Sequence, residues 1–392
     1  LLSGDKPLYS QIIEILRGRI ERGEYVPDQQ LPTEVELAEQ FGVSRITSKR
    51  ALIELEREGL IYRRRGSGSF VKKKEGSRRP AEDPSGMSAN RIVSMIIPYV
   101  ANNNTLGHIP GIAAYLESRG YYLTIHNSDW SSGQERELLR SLPKRGTSGI
   151  ILYPVSTQRN LDIVHALHAS GYPIVTIDQY YSLLSMGSVV SDNFDGGYTS
   201  AAQLIELGHT RIAFLSTIDI QYRSTVRDRF FGYCKALSDN GLPVDIDLVY
   251  SGMTDQAESD PPSRRQFYKS LLGQMLEQQV TAVQAEHDLV AFEIVKAAAD
   301  IGVRVPEELS VVGFDNNLDF ALHSDVPPIT TVEQDYREIG KRAAAMIVDQ
   351  LEGGERMTTR VEVPIRWIAR QSTGAGPEAI TDEEEEQDLE VR

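Results

Sequence analysis

Leu31-Pro32-Thr33-Glu34-Val35-Glu36-Leu37-Ala38-Glu39-Gln40-Phe41-Gly42-Val43-Ser44-Arg45-Ile46-Thr47-Ser48-Lys49-Arg50 places two helix starts and a helix stop within one short segment. Thr33-Glu34-Val35-Glu36 has the form of a capping box: the Thr33 hydroxyl accepts the Glu36 amide, and the Glu36 carboxylate reaches back to the first residue. The short helix breaks at Gly42. Ser44 then caps a further helix whose apolar face is Ala51, Leu52 and Leu55, while Arg45, Ile46, Lys49, Arg50 and Ile53 point elsewhere. Upstream, Leu8, Ile12, Ile15, Leu16 and Ile20 share one face of a first helix that Gly23 stops. A helix, a glycine turn and a helix with a basic outer face follow helix-turn-helix logic. Downstream, Gly59 to Val71 reads as two strands around a glycine-containing turn, entered through Arg63, Arg64 and Arg65, which is the form of a wing.

The charge distribution supports a nucleic-acid partner for this segment. The whole chain of 392 residues carries a formal charge of −15, yet residues 1–79 hold 16 basic against 12 acidic side chains, and residues 44–74 hold 10 against 3. A local basic patch on an acidic protein is the electrostatic footprint of a small phosphate-contacting module joined to a larger domain with another task. Hydrophobic residues make up 40% and charged residues 25%, ordinary globular usage, and no apolar run approaches the 18 residues of a membrane span. No basic-then-apolar segment opens the chain, and the single Cys234 has no partner for a disulfide or a zinc cluster, so the expectation is a cytoplasmic protein without metal or cofactor.

The expected organisation is a winged helix over 1–75, a polar linker rich in Pro and Gly over 76–90, a large domain over 91–375 and an acidic tail over 376–392 containing Glu383 to Glu386. In the large domain short apolar runs alternate with amphipathic stretches: strands at Ile92–Ile97, Tyr122–Ile125, Gly149–Tyr153, Pro173–Ile177, Arg211–Leu215, Ala282–Ala285 and Ser310–Phe314, with helices between them. This rhythm predicts an α/β fold of parallel sheets flanked by helices, in two lobes with a cleft between them.

The first module closely resembles the GntR-type winged helix. Leu8-Tyr9-Ser10-Gln11-Ile12, Leu31 to Ala38, Phe41-Gly42-Val43-Ser44-Arg45, Ala51-Leu52, Glu58-Gly59-Leu60-Ile61 and Gly66-Ser67-Gly68-Ser69-Phe70-Val71 carry the resemblance. It implies that Thr33, Glu34, Ser44, Arg45, Thr47, Lys49, Arg50, Arg65, Gly66 and Gly68 serve operator DNA. Arg45, Thr47 and Lys49 would then face the major groove, and the wing glycines the minor groove. Lys49 stands where the pattern more often has arginine, and Ser48 where it more often has an apolar residue.

The large domain contains no phosphate loop, no GxSxG elbow, no HExxH and no histidines at ligand spacing, so no enzyme is expected. Carboxylates and amides fall instead at predicted strand ends: Asp178, Asp192-Asn193, His287-Asp288 and Asp315-Asn316, with Asp288 reading as a helix cap. Val190 to Tyr198, Leu207 to Phe214, Arg229 to Tyr233, Ile301 to Pro306, Ser310 to Asn316 and Pro327 to Asp335 resemble the LacI/GalR effector domain, which is related to periplasmic sugar-binding proteins. That resemblance implies an effector between lobes, touched by Asp178, Asp192, Arg229, His287, Asp315 and Gln334, with Arg223 and the loop from Tyr99 to Thr105 as further contacts. At His287 the family usually carries asparagine. Carboxylates, amides and a guanidinium suit a polyhydroxylated ligand, and Trp130, Tyr180, Tyr181 and Phe314 are candidate surfaces for its C–H face. Together the two modules resemble the arabinose-repressor group, which implies a homodimeric repressor released from double-stranded operator DNA by L-arabinose or a related sugar; another sugar, a sugar phosphate or a purine is the effector class left open.

Overall fold

The computed structural model describes residues 8–21, 24–26, 28–57, 60–64, 68–71, 91–99, 106–257, 259–317, 326–354 and 358–377. The expected linker over 76–90, the tail beyond residue 377, Arg65 and Gly66 lie outside these. The chain forms two compact units, 1–88 and 89–392.

In the first unit, helices α1 (Leu8–Glu21), α2 (Glu34–Phe41) and α3 (Arg45–Arg57) precede an antiparallel pair, β1 (Ile61–Arg64) and β2 (Gly68–Val71). Both bonds of the capping box form at Thr33, and Gly42 ends α2 in the left-handed conformation at φ 63°, which glycine adopts without steric cost. Ile12, Leu16, Leu37, Ala51, Leu52 and Leu55 make the core; Leu8, in the opening turn of α1, stays half exposed. Ser48 is fully buried and tolerated there because its hydroxyl donates to the Glu34 carbonyl at 2.6 Å, fastening α3 to the start of α2.

The second unit has two lobes. The first is a six-stranded parallel sheet in the order β13-β7-β6-β5-β3-β4, built from β3 (Ile92–Ile97), β4 (Tyr122–Asn127), β5 (Gly149–Leu152), β6 (Ile174–Ile177), β7 (Ser188–Ser191) and β13 (Arg360–Val363). Its helices include α4 (Ile109–Ser118), α5 (Ser132–Ser141) and α6 (Leu161–Ala169). The second lobe is a parallel sheet in the order β11-β10-β8-β9, from β8 (Ile212–Leu215), β9 (Val249–Tyr250), β10 (Ala282–Ala285) and β11 (Ser310–Val312). Here α7 (Asn193–Glu206), α8 (Ser224–Asp239), α9 (Thr254–Ala257), α10 (Pro261–Glu277) and α11 (Asp288–Ile301) flank the strands. Apolar clusters line both faces of each sheet, as parallel sheets require.

The lobes are not successive in sequence, which the strand rhythm did not reveal. After β12 (Thr331–Glu333) the chain returns to the first lobe through α12 (Tyr336–Leu351) and β13, then leaves again into β14 (Arg366–Ile368), paired with β12. The crossing segments touch: the Asp192 amide donates to the Val363 carbonyl at 2.9 Å, and Ser191 Oγ donates to Gln334 Oε1 at 2.5 Å.

Helices α7 and α8 cross so closely that a Cβ on Gly197 would lie 2.1 Å from the Arg229 carbonyl oxygen, and one on Gly232 would lie 2.1 Å from that of Phe194. Gly197→Ala is therefore expected to cost about 1–3 kcal/mol of stability through forced separation of the two helices, read as a Tm lowered by several degrees in thermal unfolding.

Candidate DNA-contacting face and effector cleft

In the winged-helix unit the start of α3 is pinned before any ligand arrives. Ser44 Oγ accepts the Thr47 amide at 3.2 Å and lies 2.8 Å from the Thr47 hydroxyl. This leaves Arg45, Ile46, Lys49 and Arg50 exposed on one side. Arg45 and Lys49 make no ion pair with any described residue, so both charges are free for phosphates and base edges. Arg50 is held, its guanidinium 4.0 Å above the Tyr9 ring. Glu34 is also engaged, in an ion pair with Arg63 that ties α2 to the wing, and Thr33 makes both bonds of its capping box. Gly68 sits at φ 104° against Gln30, whose amide would lie 2.8 Å from an added Cβ. Ile46, placed on the outer face of this helix by the sequence but not among the expected DNA-contacting residues, is 81% exposed at the first turn of α3. An exposed aliphatic beside Arg45 is suited to a thymine methyl.

Between the lobes of the second unit lies a cleft of about 740 Å³, continued inward by a chamber of about 60 Å³. The inner chamber gathers six of the expected effector residues, Asp178, His287, Asp315 and Gln334 from beyond the ends of different strands and Arg223 and Arg229 from the start of α8. Asp192 is not among them. It caps α7, accepting the Asp195 amide at 2.9 Å, because the chain turns there to cross between lobes. Tyr99 is exposed and does not line the cleft, and the loop 100–105 lies outside the described residues.

Asp315 is the centre of the inner chamber. Gln334 Nε2 donates to its Oδ1 at 2.6 Å and Arg229 Nη2 stands 3.7 Å away. Burial pushes the Asp315 carboxyl pKa up, while Arg229 and His287 pull it back down. Its backbone lies at φ 106°, held against β12: the Asp315 amide donates to the Val332 carbonyl at 2.8 Å. Arg229 is heavily committed. Its Nε donates to Asn193 Oδ1 at 2.9 Å, its Nη1 donates to the Glu286 carbonyl at 2.5 Å, and its guanidinium lies 3.5 Å over the Phe314 ring, so it braces the chamber wall.

Around His287 the structure corrects the expectation that Asp288 caps the helix. His287 is the cap: its Nδ1 accepts the Val290 amide at 3.3 Å. With Nδ1 accepting that amide, Nε2 is the ring nitrogen left to donate. Asp288 is buried, accepts the Thr331 hydroxyl at 2.5 Å and the Asn317 amide at 2.7 Å, and has its pKa pushed up to about 8 by burial and then by the neighbouring Asp315.

Sequence reading missed Tyr153, Tyr336 and Glu286. Tyr153 follows β5 as Asp178 follows β6 and lines the inner chamber with it, and burial raises its pKa far above the usual value. The Tyr336 hydroxyl accepts from Gln334 Nε2 at 3.1 Å. The buried Glu286 carboxylate accepts from Ser216 Oγ at 2.7 Å, from the Thr217 amide at 2.8 Å and from the Thr217 hydroxyl, shaping the loop that faces the cleft. Of the aromatic candidates only Trp130 lines the cleft. Phe314 lies beneath Arg229, Tyr181 is core, and Tyr180 donates to both oxygens of Asp228 at 3.0 Å, joining the lobes elsewhere.

Residues 8–71 match the bacterial regulatory proteins of the gntR family, and residues 201–373 match the periplasmic binding protein-like domain. This chain joins a gntR-family DNA-binding domain to a periplasmic binding protein-like domain. The regulator is similar to the arabinose metabolism transcriptional repressor of Geobacillus stearothermophilus, 29% identical over 350 residues that cover 88% of this chain and 92% of that protein. It is also similar to the repressor of the same description from Halalkalibacterium halodurans, 27% identical over 349 residues covering 88% and 89%. Among solved structures it is similar to a LacI family transcriptional regulator from Enterococcus faecium with bound ribose, with 25% identity, a TM-score of 0.59 and coverage of 73% of this chain and all of that one. The regulator is thus a DNA-binding transcription regulator rather than an enzyme. Among its described residues no helix is long and apolar enough to cross a membrane.

Proposed function

We propose that this regulator is a cytoplasmic repressor that holds operator DNA as a homodimer and is released when a sugar fills the cleft, L-arabinose being the first candidate. The observation that carries the reading is the inner chamber itself. Asp178 enters it from the first lobe and His287 and Asp315 from the second, with Gln334 at a crossing segment. Sugar hydroxyls both donate and accept, and this set offers carboxylate acceptors opposite imidazole, amide and guanidinium donors. A ligand bridging both lobes binds one lobe arrangement better than the other, which is the condition for it to shift DNA affinity. The relatives described as arabinose repressors favour L-arabinose.

Calorimetric titration of the full chain with L-arabinose and a panel of pentoses, hexoses, their phosphates and purines tests this. Saturable binding of L-arabinose well below millimolar, together with loss of operator binding at the same concentrations, is expected. Response to a phosphate or a purine alone would replace the sugar reading with the other effector class.

A further inference from the structure

We propose that Tyr180 and Asp228 form a latch between the two lobes, outside the effector cleft, and that this contact positions opposite walls of the inner chamber before a sugar arrives. The link to the chamber rests on the sugar reading; the latch itself does not.

Asp178 and Tyr180 sit in one loop of the first lobe, between β6 and β7, while Arg223, Asp228 and Arg229 sit at the start of α8 in the second. Asp178, Arg223 and Arg229 line the chamber, whereas Tyr180 and Asp228 line neither it nor the outer cleft. Whatever fastens this loop to this helix end therefore sets the spacing of groups that face each other across the chamber.

The fastening has several parts. Ser224 Oγ accepts the Tyr180 amide at 3.1 Å, the Tyr180 hydroxyl lies 3.0 Å from both oxygens of Asp228, and Arg227 Nη2 donates to that hydroxyl at 2.9 Å. A phenol has one proton to give and lone pairs to receive, so Tyr180 is held from both directions. Arg360, at the start of β13, joins from the first lobe. Its guanidinium lies 4.2 Å over the Tyr180 ring, with Nη1 3.6 Å from Asp228 Oδ2 and Nη2 2.8 Å from Glu362.

Asp228 makes the contact depend on the lobes staying together. Its side chain is 16% exposed; burial pushes the carboxyl pKa up, and the Tyr180 hydroxyl, Arg227 and Arg360 pull it back. Of these three partners Tyr180 and Arg360 belong to the first lobe, so parting the lobes leaves the carboxylate with Arg227 alone. A carboxylate withdrawn from water is stable only while its partners remain. Nor does α8 yield in place of the lobe, since its crossing with α7 at Gly197 and Gly232 leaves no room for even a Cβ. The latch thus favours the arrangement in which the chamber is assembled, and a ligand that bridges the lobes binds with an affinity scaled by the population of that arrangement.

The test reads lobe spacing and sugar affinity separately. Spin labels on Tyr122→Cys and Ile246→Cys, exposed positions at opposite sheet edges from the crossing segments, report the distance between lobes in a full chain carrying Cys234→Ser and diluted with unlabelled chain. Without sugar, Tyr180→Phe, which keeps the ring and removes one oxygen, is expected to move the distance distribution toward longer values. L-arabinose should restore the short distance in both chains, at about 10-fold higher concentration in the variant. On an Asp228→Ala background Tyr180→Phe should add nothing, because both act through one contact; thermal unfolding checks that each variant folds. An unchanged distance distribution in Tyr180→Phe, or losses that add in the double variant, overturns the latch. A shifted distribution with unchanged L-arabinose affinity overturns its link to the chamber. If L-arabinose binds neither chain, the sugar-free distance distribution still decides the latch, and it is the arabinose reading that falls.

Discussion

Asp315→Asn is expected to weaken sugar binding by at least about 100-fold while operator binding persists without response to sugar. The carboxylate is the acceptor around which Gln334, Arg229 and His287 are arranged, and hydrogen bonds to a charged partner contribute about 1.5–3 kcal/mol each. Two such bonds to neighbouring sugar hydroxyls amount to a factor of about 100 or more. The variant also turns an acceptor into a donor facing the Gln334 amide and leaves the Arg229 guanidinium, 6% exposed, without its counter-charge. Asparagine tolerates φ 106° about as well as aspartate does, so the strand end should keep its shape. Calorimetry with the wild-type effector, a gel-shift titration and a thermal melt separate these effects. Normal sugar affinity in Asp315→Asn would mean that the inner chamber is not where the effector binds.

Arg45→Ala is expected to show the reverse pattern. Arg45 is exposed at the first turn of α3 and makes no ion pair with any described residue, so its removal should leave stability within about 0.5 kcal/mol of wild type. If Arg45 reads a base edge, operator affinity falls by about 1–3 kcal/mol and specificity relaxes at one position; if it holds a phosphate, binding weakens evenly across sequences and the salt slope drops by about 1. Operator titrations at several salt concentrations distinguish the two. Sugar affinity should be unchanged, and equal loss of both activities would contradict two separate modules.

The parts of the molecule legible in its sequence are those set by neighbours a few residues away. Thr33 and Glu36 meet across one helical turn, Gly42 supplies a left-handed stop, and the spacing of Ala51, Leu52 and Leu55 decides which side of α3 is buried; none of these needs the rest of the fold. Alternating apolar runs likewise marked most strands of the two parallel sheets, because a strand buried on both faces must be apolar throughout. Strand Ser188–Ser191 escaped notice since serines bound its two valines, and the partner of Ser191 Oγ, Gln334, is distant in sequence.

Which strand-end residues form the site was decided by tertiary structure. Asp178 and Asp192 look alike in sequence, yet one faces the cleft and the other caps a helix, because the chain changes lobe at Asp192 and not at Asp178. His287 takes the helix cap expected of Asp288 while still lining the chamber, for the same kind of reason: Thr331, 43 residues away, claims the Asp288 carboxylate. The return of α12 and β13 to the first lobe is equally invisible to periodicity, which records only that a segment has an apolar face and not which surface covers it. Local hydrogen bonds and side-chain spacing act over a turn or a strand and so are written in the sequence. The cleft depends on groups brought together from across the chain, and only the packing of the two sheets determines which of them meet.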